Sequence, residues 1–205
     1  MKQLLPLLLL AVSLPCIAGD ATDPVFDTDG HELSSDSVYH VLPAGRGTGG
    51  GLGAAPDKRE PCRHFVAQEH NEDAAGIPVR FKLQNASAGG VVNLSTNVTI
   101  TFHVVSVCMG TSHWYIMDTS EPRREYVAAG KRAGHIYIPP AVFRVERYIG
   151  GEVEGYKLVW CTGYEEPCKE LGLDDSEEMK RLATSDSPLV VEFRKADPEM
   201  TLLDL

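Results

Sequence analysis

Between residues 91 and 105 the sequence VVNLSTNVTITFHVV alternates between apolar and polar side chains. From Val92 to Val104 the even positions are mainly apolar, whereas the odd positions are asparagine, serine, threonine or histidine. A period of two residues is typical of a β-strand, or a strand pair, with one face in the core and the other in water. In this interpretation Asn93, Ser95 and Asn97 point to the same side of the strand.

Similar short runs recur along the chain, separated by clusters of glycine, proline, asparagine and aspartate. They span 39–42, 63–68, 79–83, 113–117, 135–138, 143–148, 156–160 and 189–193. Many short strands with turns between them predict an all-β barrel or sandwich. The best helix signal, Ser176–Leu182, indicates either a single turn with Ser176 as its N-cap or a polar loop.

The N-terminus has the pattern of a secretory signal peptide. Lys2 supplies a positive charge, an apolar stretch runs from Leu4 to Ile17, and small residues offer cleavage after Ala18, Gly19 or Ala21. The apolar stretch is too short to span a bilayer. We therefore expect a signal peptide at 1–19, a single domain at 20–205, and a product that enters the endoplasmic reticulum and is extracellular or vacuolar.

Four cysteines remain after removal of the signal peptide: Cys62, Cys108, Cys161 and Cys168. An even number in an oxidising compartment predicts two disulfides, and the sequence permits three pairings. The sequential pairing would close one long loop and one short loop. A zinc site made by Cys62, His64 and His70 is the alternative, but their spacing matches no zinc pattern, so no metal is expected.

Three glycosylation sequons lie close together, at Asn85, Asn93 and Asn97. They agree with secretion and indicate at least one attached glycan.

Charge and motifs exclude several classes of function. The formal net charge of -10 argues against nucleic acid or an anionic membrane as partner and suits a basic protein partner. The glycine-rich segment Gly45–Gly53 lacks the order of a phosphate-binding loop, and we find no nucleophile elbow or metalloprotease motif. The acidic run at 174–178 indicates a solvated loop rather than a pair of glycosidase carboxylates. Neither an enzyme nor a cofactor is expected.

The stretch VFDTDGHEL at 25–33 places two aspartates, a glycine, a histidine and a glutamate within six residues. It lacks the further oxygen ligand and the distal glutamate of a calcium-binding loop. Asp27 followed by Asp29-Gly30 instead predicts a turn that aspartate side chains cap.

This stretch, followed by YHVLPA and GGGL, resembles the start of the plant Kunitz inhibitor family of the soybean trypsin inhibitor type. The resemblance continues through GIPVR, Trp114, FRVERY, YKLVWC and LVVEF, and covers nearly the whole mature chain. DTDGHEL, GIPVR and LSTNV are similar to segments of one subgroup, the cereal bifunctional α-amylase/subtilisin inhibitors. The resemblance implies a β-trefoil of twelve short strands, six in a barrel and six in a hairpin cap. The four cysteines fall where the family places its two disulfides.

The resemblance also implies a protease-binding reactive loop between the fourth and fifth strands, with the exposed bond near Asn85-Ala86 and with Gln84 and Ser87 beside it. No arginine or lysine stands there for the acidic pocket of trypsin, so strong trypsin inhibition is not expected. Gly89 and Gly90 loosen the loop further. A glycan on Asn85 would obstruct a protease.

A second surface implied by the resemblance faces α-amylase in the cereal subgroup. Ser95, Tyr148 and Lys157 match that subgroup, whereas Glu170 and Asp186 differ from it by one methylene each. If Asn93 or Asn97 carries a glycan on the same face as Ser95, that glycan would obstruct amylase.

These observations predict a secreted, monomeric inhibitor that docks on a subtilisin-like serine endopeptidase, on α-amylase, or on both. The alternative is a non-inhibitory secreted β-trefoil with a storage, defence or carbohydrate-binding role.

Overall fold

The computed structural model describes residues 23–60, 62–84, 90–106, 112–120, 123–130, 138–151, 153–163, 167–175, 178–199 and 201–202. These residues form strands, turns and bends, with no helix among them. No helix within these ranges is therefore long and apolar enough to cross a membrane.

Fourteen strands are present in this part of the chain. They are β1 Tyr39–Pro43, β2 Leu52–Pro56, β3 Arg63–Gln68, β4 Val79–Leu83, β5 Val98–Phe102, β6 Val104–Val105, β7 Trp114–Ser120, β8 Arg123–Gly130, β9 Phe143–Tyr148, β10 Gly155–Trp160, β11 Lys169–Asp174, β12 Arg181–Thr184, β13 Val191–Lys195 and β14 Thr201–Leu202. The predicted bounds of β3, β4 and β9 are confirmed, and the predicted all-β class is confirmed with them.

Twelve of these strands belong to one hydrogen-bonded network, and β6 pairs with β14 in parallel outside it. The order β13-β1-β4-β5-β9-β10 returns on itself, because β10 also pairs with β13. This closed ring of six strands has no open edge. The other six strands form the hairpins β2–β3, β7–β8 and β11–β12, which contact one another through β3, β8 and β12.

The core is built from the inward side of the alternating strands. On β5 the side chains of Val98, Ile100 and Phe102 are buried, as the period of two predicts. Trp114 of β7 packs edge-on against Phe102, with ring centroids 5.3 Å apart, and against Phe143 at 6.1 Å. Edge-to-face packing of large rings joins the hairpins to the closed ring of strands.

The strand or strand pair predicted over 91–105 is confirmed only in its second half, which holds β5 and β6, and is wrong at 94–96. The chain makes a turn at Leu94-Ser95, and Ser95 has a φ of 58°. The amide and hydroxyl of Thr96 both donate to the Asn93 carbonyl, at 3.4 and 2.7 Å. Strand alternation therefore does not place Asn93, Ser95 and Asn97 on one face.

The C-terminal third also differs from prediction. β11 occupies 169–174, and its last residue, Asp174, is buried, although it begins the acidic run that was predicted to be a solvated loop. The segment with the weak helix signal leads into β12, whose start lies at Arg181. Local patterns did not indicate β2, β8, β11 or β12, because these strands are rich in small or charged residues. The predicted run at 135–138 falls mostly outside the described residues.

The turn predicted at Asp27 is confirmed. Asp27 Oδ1 accepts hydrogen bonds from the amides of Asp29 and His31, at 3.0 and 2.9 Å, and Gly30 has a φ of 79°. Ligand atoms of Asp27, Asp29 and His31 lie within 4.8 Å of one another. Because Asp27 caps the turn, this group is accounted for by backbone structure.

Candidate target-binding surfaces

The predicted reactive loop begins where β4 ends. Gln84 is exposed, its amide donates to the Asn97 carbonyl at 3.3 Å, and its side-chain oxygen accepts from Asn97 Nδ2 at 3.4 Å. The loop therefore leaves the sheet at the point where β4 and β5 separate. Asn85, Ala86 and Ser87 lie outside the described residues, and their predicted roles stay predictions.

The loop returns against a segment near the N-terminus. The Ser35 amide donates to the Gly90 carbonyl at 2.6 Å, and Ser34 forms a β-bridge with Val91. Arg80 Nη1 donates to the Asp36 carbonyl at 2.9 Å. Both ends of the loop are thus held by backbone hydrogen bonds.

The turn at 93–96 presents Ser95 to β9. Its amide donates to the Val145 carbonyl at 3.0 Å, and its hydroxyl donates to Glu146 Oε2 at 2.8 Å. A positive φ is unfavourable for serine, by about 1 kcal/mol, so these bonds hold a strained residue in place.

Several of the predicted amylase-facing residues lie together on the outer face of β9, β10 and β11. Glu146 of β9 stands opposite Lys157 of β10 in the strand register, and Lys157 forms an ion pair with Glu170 of β11. The outer side of the sheet therefore carries a row of neighbouring polar residues, Ser95, Glu146, Lys157 and Glu170. We call these four residues the β9–β11 face.

Tyr148 and Asp186 border this face. Tyr148 ends β9, two residues after Glu146, and pairs with Gly155. Asp186 and Glu170 line one open cleft of about 560 Å³. Glu146 was not among the predicted site residues, although its place between Arg144 and Tyr148 in the period-two pattern of β9 indicates an outward-facing side chain.

The candidate glycan sites differ in their surroundings. Asn97 Oδ1 accepts from Arg144 Nε at 2.8 Å, while its Nδ2 contacts Gln84. Asn93 forms a β-bridge with Pro24 and engages the turn through its carbonyl. Both asparagines are partly exposed. Their glycosylation stays a prediction.

A disulfide joins Cys161 at the end of β10 to Cys168 just before β11. Cys62 is also disulfide-bonded, and Cys108 lies outside the described residues. Because a disulfide sulfur is not a thiolate, Cys62 has no metal-binding form, which removes the zinc alternative.

Two histidines have a pKa that their surroundings lower. Burial lowers the pKa of His64 on β3, and the nearby Asp57 carboxylate opposes the effect. Burial also lowers the pKa of His40 on β1, with the positive charge of Arg194 acting in the same direction. Both lie on strands away from the β9–β11 face.

The sequence that forms these strands matches the model of a known protein family. The profile of the legume Kunitz family, described as "Trypsin and protease inhibitor", matches residues 25–195. The chain belongs to this family. The predicted resemblance is therefore confirmed over almost the whole described fold.

Relatives of this Kunitz chain include the cereal subgroup. An "Alpha-amylase/subtilisin inhibitor" of Oryza sativa subsp. japonica is 40% identical over 95% of this chain and 94% of its own. The solved rice bifunctional alpha-amylase/subtilisin inhibitor is 38% identical, covers 86% of this chain and 100% of its own, and superposes with a TM-score of 0.67.

Soybean trypsin inhibitor, solved in complex with porcine pancreatic trypsin, is 27% identical to this chain. The match covers 85% of this chain and 100% of the inhibitor, with a TM-score of 0.69 in one crystal form and 0.70 in another. The Kunitz relatives are thus inhibitors rather than enzymes.

Proposed function

We propose that the mature protein is a secreted inhibitor of hydrolases that docks on α-amylase, on a subtilisin-like serine endopeptidase, or on both. The observation that carries the amylase part is the β9–β11 face. One outer surface brings these predicted residues together: Ser95 donates to Glu146, Glu146 stands opposite Lys157 in the strand register, and Lys157 forms an ion pair with Glu170. The names of the rice relatives support the same two targets.

The protease part of the proposal rests on the loop after β4. Its two ends are tied to Asn97 and to Ser35, and a loop with fixed ends loses less conformational freedom on binding. The absence of a cation at the predicted bond favours a subtilisin-like enzyme over trypsin.

We further propose a β-trefoil with two disulfides, secretion after signal cleavage, glycosylation at one or more of Asn85, Asn93 and Asn97, and a monomeric state. The closed ring of six strands with three hairpins supports the trefoil. The disulfide-bonded state of Cys62 supports a second bridge, with Cys108 as its predicted partner.

The test is a titration of the purified mature protein against subtilisin and a cereal α-amylase, before and after enzymatic deglycosylation. Stoichiometric inhibition of either enzyme is expected. Inhibition that appears only after deglycosylation would show that glycans cover a working surface. No inhibition of either enzyme in either state would refute the proposal and favour the non-inhibitory β-trefoil.

A matched pair of lysine variants assigns the amylase surface. Lys157→Met breaks the ion pair with Glu170 on the β9–β11 face, and we expect amylase inhibition to weaken about tenfold or more. The control is Lys58→Met, in the connection between β2 and β3. It breaks an exposed ion pair in which Lys58 Nζ lies 3.5 Å from Glu178 Oε2. Lys58→Met should inhibit both enzymes as well as the wild type does, and Lys157→Met should inhibit subtilisin as well as the wild type does.

A further inference from the structure

Strand β9 supports both proposed surfaces from one short stretch. Arg144 Nε donates to Asn97 Oδ1 at 2.8 Å, the Val145 carbonyl accepts from Ser95, and Glu146 Oε2 accepts from the Ser95 hydroxyl. Three successive residues of β9 thus hold the segment that leads from the predicted reactive loop into β5.

Alternation along β9 separates these supports. Val145 is fully buried in the core, whereas Arg144 and Glu146 are partly exposed and point outward from the same face. The two outward side chains make different hydrogen bonds: Arg144 donates to Asn97, and Glu146 accepts from Ser95.

The hydrogen bond of Arg144 supports the start of the predicted reactive loop. Asn97 links Arg144 to Gln84, because its Oδ1 accepts from the guanidinium while its Nδ2 and its carbonyl both contact Gln84. Because Arg144 fixes the Oδ1 atom of Asn97, the Nδ2 atom on the same amide group faces Gln84 in one orientation.

The Glu146 arm acts on a strained residue. Ser95 has a φ of 58°, where glycine or asparagine is usual, and its hydroxyl bond to Glu146 helps to hold that conformation. The same carboxylate stands opposite Lys157 in the strand register. Loss of Glu146 would therefore release Ser95 and change the charge next to Lys157.

We propose that Arg144 and Glu146 are separate positioning residues, Arg144 for Gln84 at the start of the protease-binding loop and Glu146 for Ser95 on the amylase-facing surface. This inference rests on the proposed function for its two targets. Neither residue was among the predicted contact residues. The two supports are adjacent in the fold but use different hydrogen bonds, so each variant is the matched control of the other.

The experiment compares Arg144→Met and Glu146→Ala in the full mature protein. Inhibition constants against subtilisin and a cereal α-amylase give the first readout. Arg144→Met should weaken subtilisin inhibition about tenfold and leave amylase inhibition within about twofold of wild type. Glu146→Ala should show the reverse pattern.

Hydrogen exchange of two backbone amides gives a second readout that does not depend on any target enzyme. The Gln84 amide, bonded to Asn97, should exchange about tenfold faster in Arg144→Met and normally in Glu146→Ala. The Ser95 amide, bonded to Val145, should show the opposite response. If the wild type inhibits neither enzyme, the proposed function fails, and this exchange pattern still decides whether the two supports exist.

A conservative variant tests the chemistry of the Glu146 arm. Glu146→Gln keeps an oxygen that accepts from the Ser95 hydroxyl but removes the charge opposite Lys157, so the exchange rate of the Ser95 amide should stay near wild type. Equally fast exchange of the Ser95 amide in Glu146→Gln and Glu146→Ala would overturn the hydrogen-bonding role. Faster exchange at both amides in both variants would indicate general loosening and would overturn the inference as a whole.

Discussion

At the scale of single residues, close approach of the backbone restricts Gly51 to glycine. Gly51 lies just before β2, and a Cβ atom at this position would be 2.0 Å from the Ala75 carbonyl oxygen. No side chain has room there unless the backbone moves. The glycine at this position therefore allows two backbone segments to pack together.

Gly51→Ala should reduce the free energy of unfolding by about 3 kcal/mol, because the added methyl group meets backbone that cannot rotate away. Gly163→Ala is the matched control, since a Cβ atom at Gly163 meets nothing within 4 Å. Urea unfolding of both variants measures the difference. Equal stability of the two variants would contradict the close approach at Gly51.

His64 gives stability a dependence on pH. It is 2% exposed, and its folded pKa is lowered by burial, so the folded state disfavours its protonated form. The unfolded histidine, with a pKa of about 6.5, takes up a proton more readily as pH falls. Stability from this group is therefore present above about pH 6.5 and is lost as pH falls below that value.

We expect the melting temperature of the wild type to fall between about pH 7 and pH 5, and His64→Gln to flatten this dependence. His40, with a pKa lowered in the same direction, should keep part of the slope. His70→Gln, at an exposed position, is the control and should retain the slope of the wild type. An unchanged slope in His64→Gln would show that other groups cause the dependence.

At the level of strands, a buried polar contact joins two of the three hairpins. Tyr126 of β8 donates its hydroxyl to Asp174 of β11, and Arg124 of β8 forms an ion pair with the other oxygen of Asp174 at 3.0 Å. Asp174 is only 6% exposed, so its charge depends on these partners. The contact sets how the β7–β8 and β11–β12 hairpins meet.

Tyr126→Phe should lower the free energy of unfolding by about 1–3 kcal/mol, because it removes a donor from a buried carboxylate while keeping the ring. Tyr148→Phe is the control, since Tyr148 is partly exposed and its hydroxyl has no hydrogen bond in the described structure. Chemical denaturation of the two variants gives the comparison. A loss of the same size in both would show that the Asp174 contact contributes nothing specific.

At the scale of the whole molecule, the segment before β1 belongs to the same folded unit as the two proposed surfaces. Residues as early as 23 take part in it, because the Leu94 amide donates to the Asp23 carbonyl at 2.8 Å and Val25 is fully buried. A signal peptide must therefore end before Asp23 if its removal is to leave the fold intact.

N-terminal sequencing of the protein secreted from a eukaryotic host should give Gly19, Asp20 or Thr22 as the first residue, which follows from cleavage after Ala18, Gly19 or Ala21. Intact mass spectrometry after deglycosylation should agree. Retention of the first residues in a cell-associated product would contradict secretion by this route.

The sequence alone predicts the all-β class, the bounds of β3, β4 and β9, and the turn at Asp27. Each of these depends on short-range chemistry, either alternation along a strand or an aspartate that bonds its own backbone. Alternation wrongly predicted that Ser95 lies in an extended strand, because a turn with a positive φ at Ser95 interrupts the alternating sequence. It also missed β2 and β11, whose small and charged residues give no clear alternation and become strands by pairing with β3 and with β10.

The family and its two predicted surfaces follow from motifs along the chain, while the connection between those surfaces follows from the folded sheet. Glu146 has no unusual sequence neighbours, yet strand pairing brings it to Lys157 and the turn brings Ser95 to it. Local residue patterns report which side of a strand faces the core. The contacts across that strand depend on register and closure of the sheet, which arise from residues far apart in the chain.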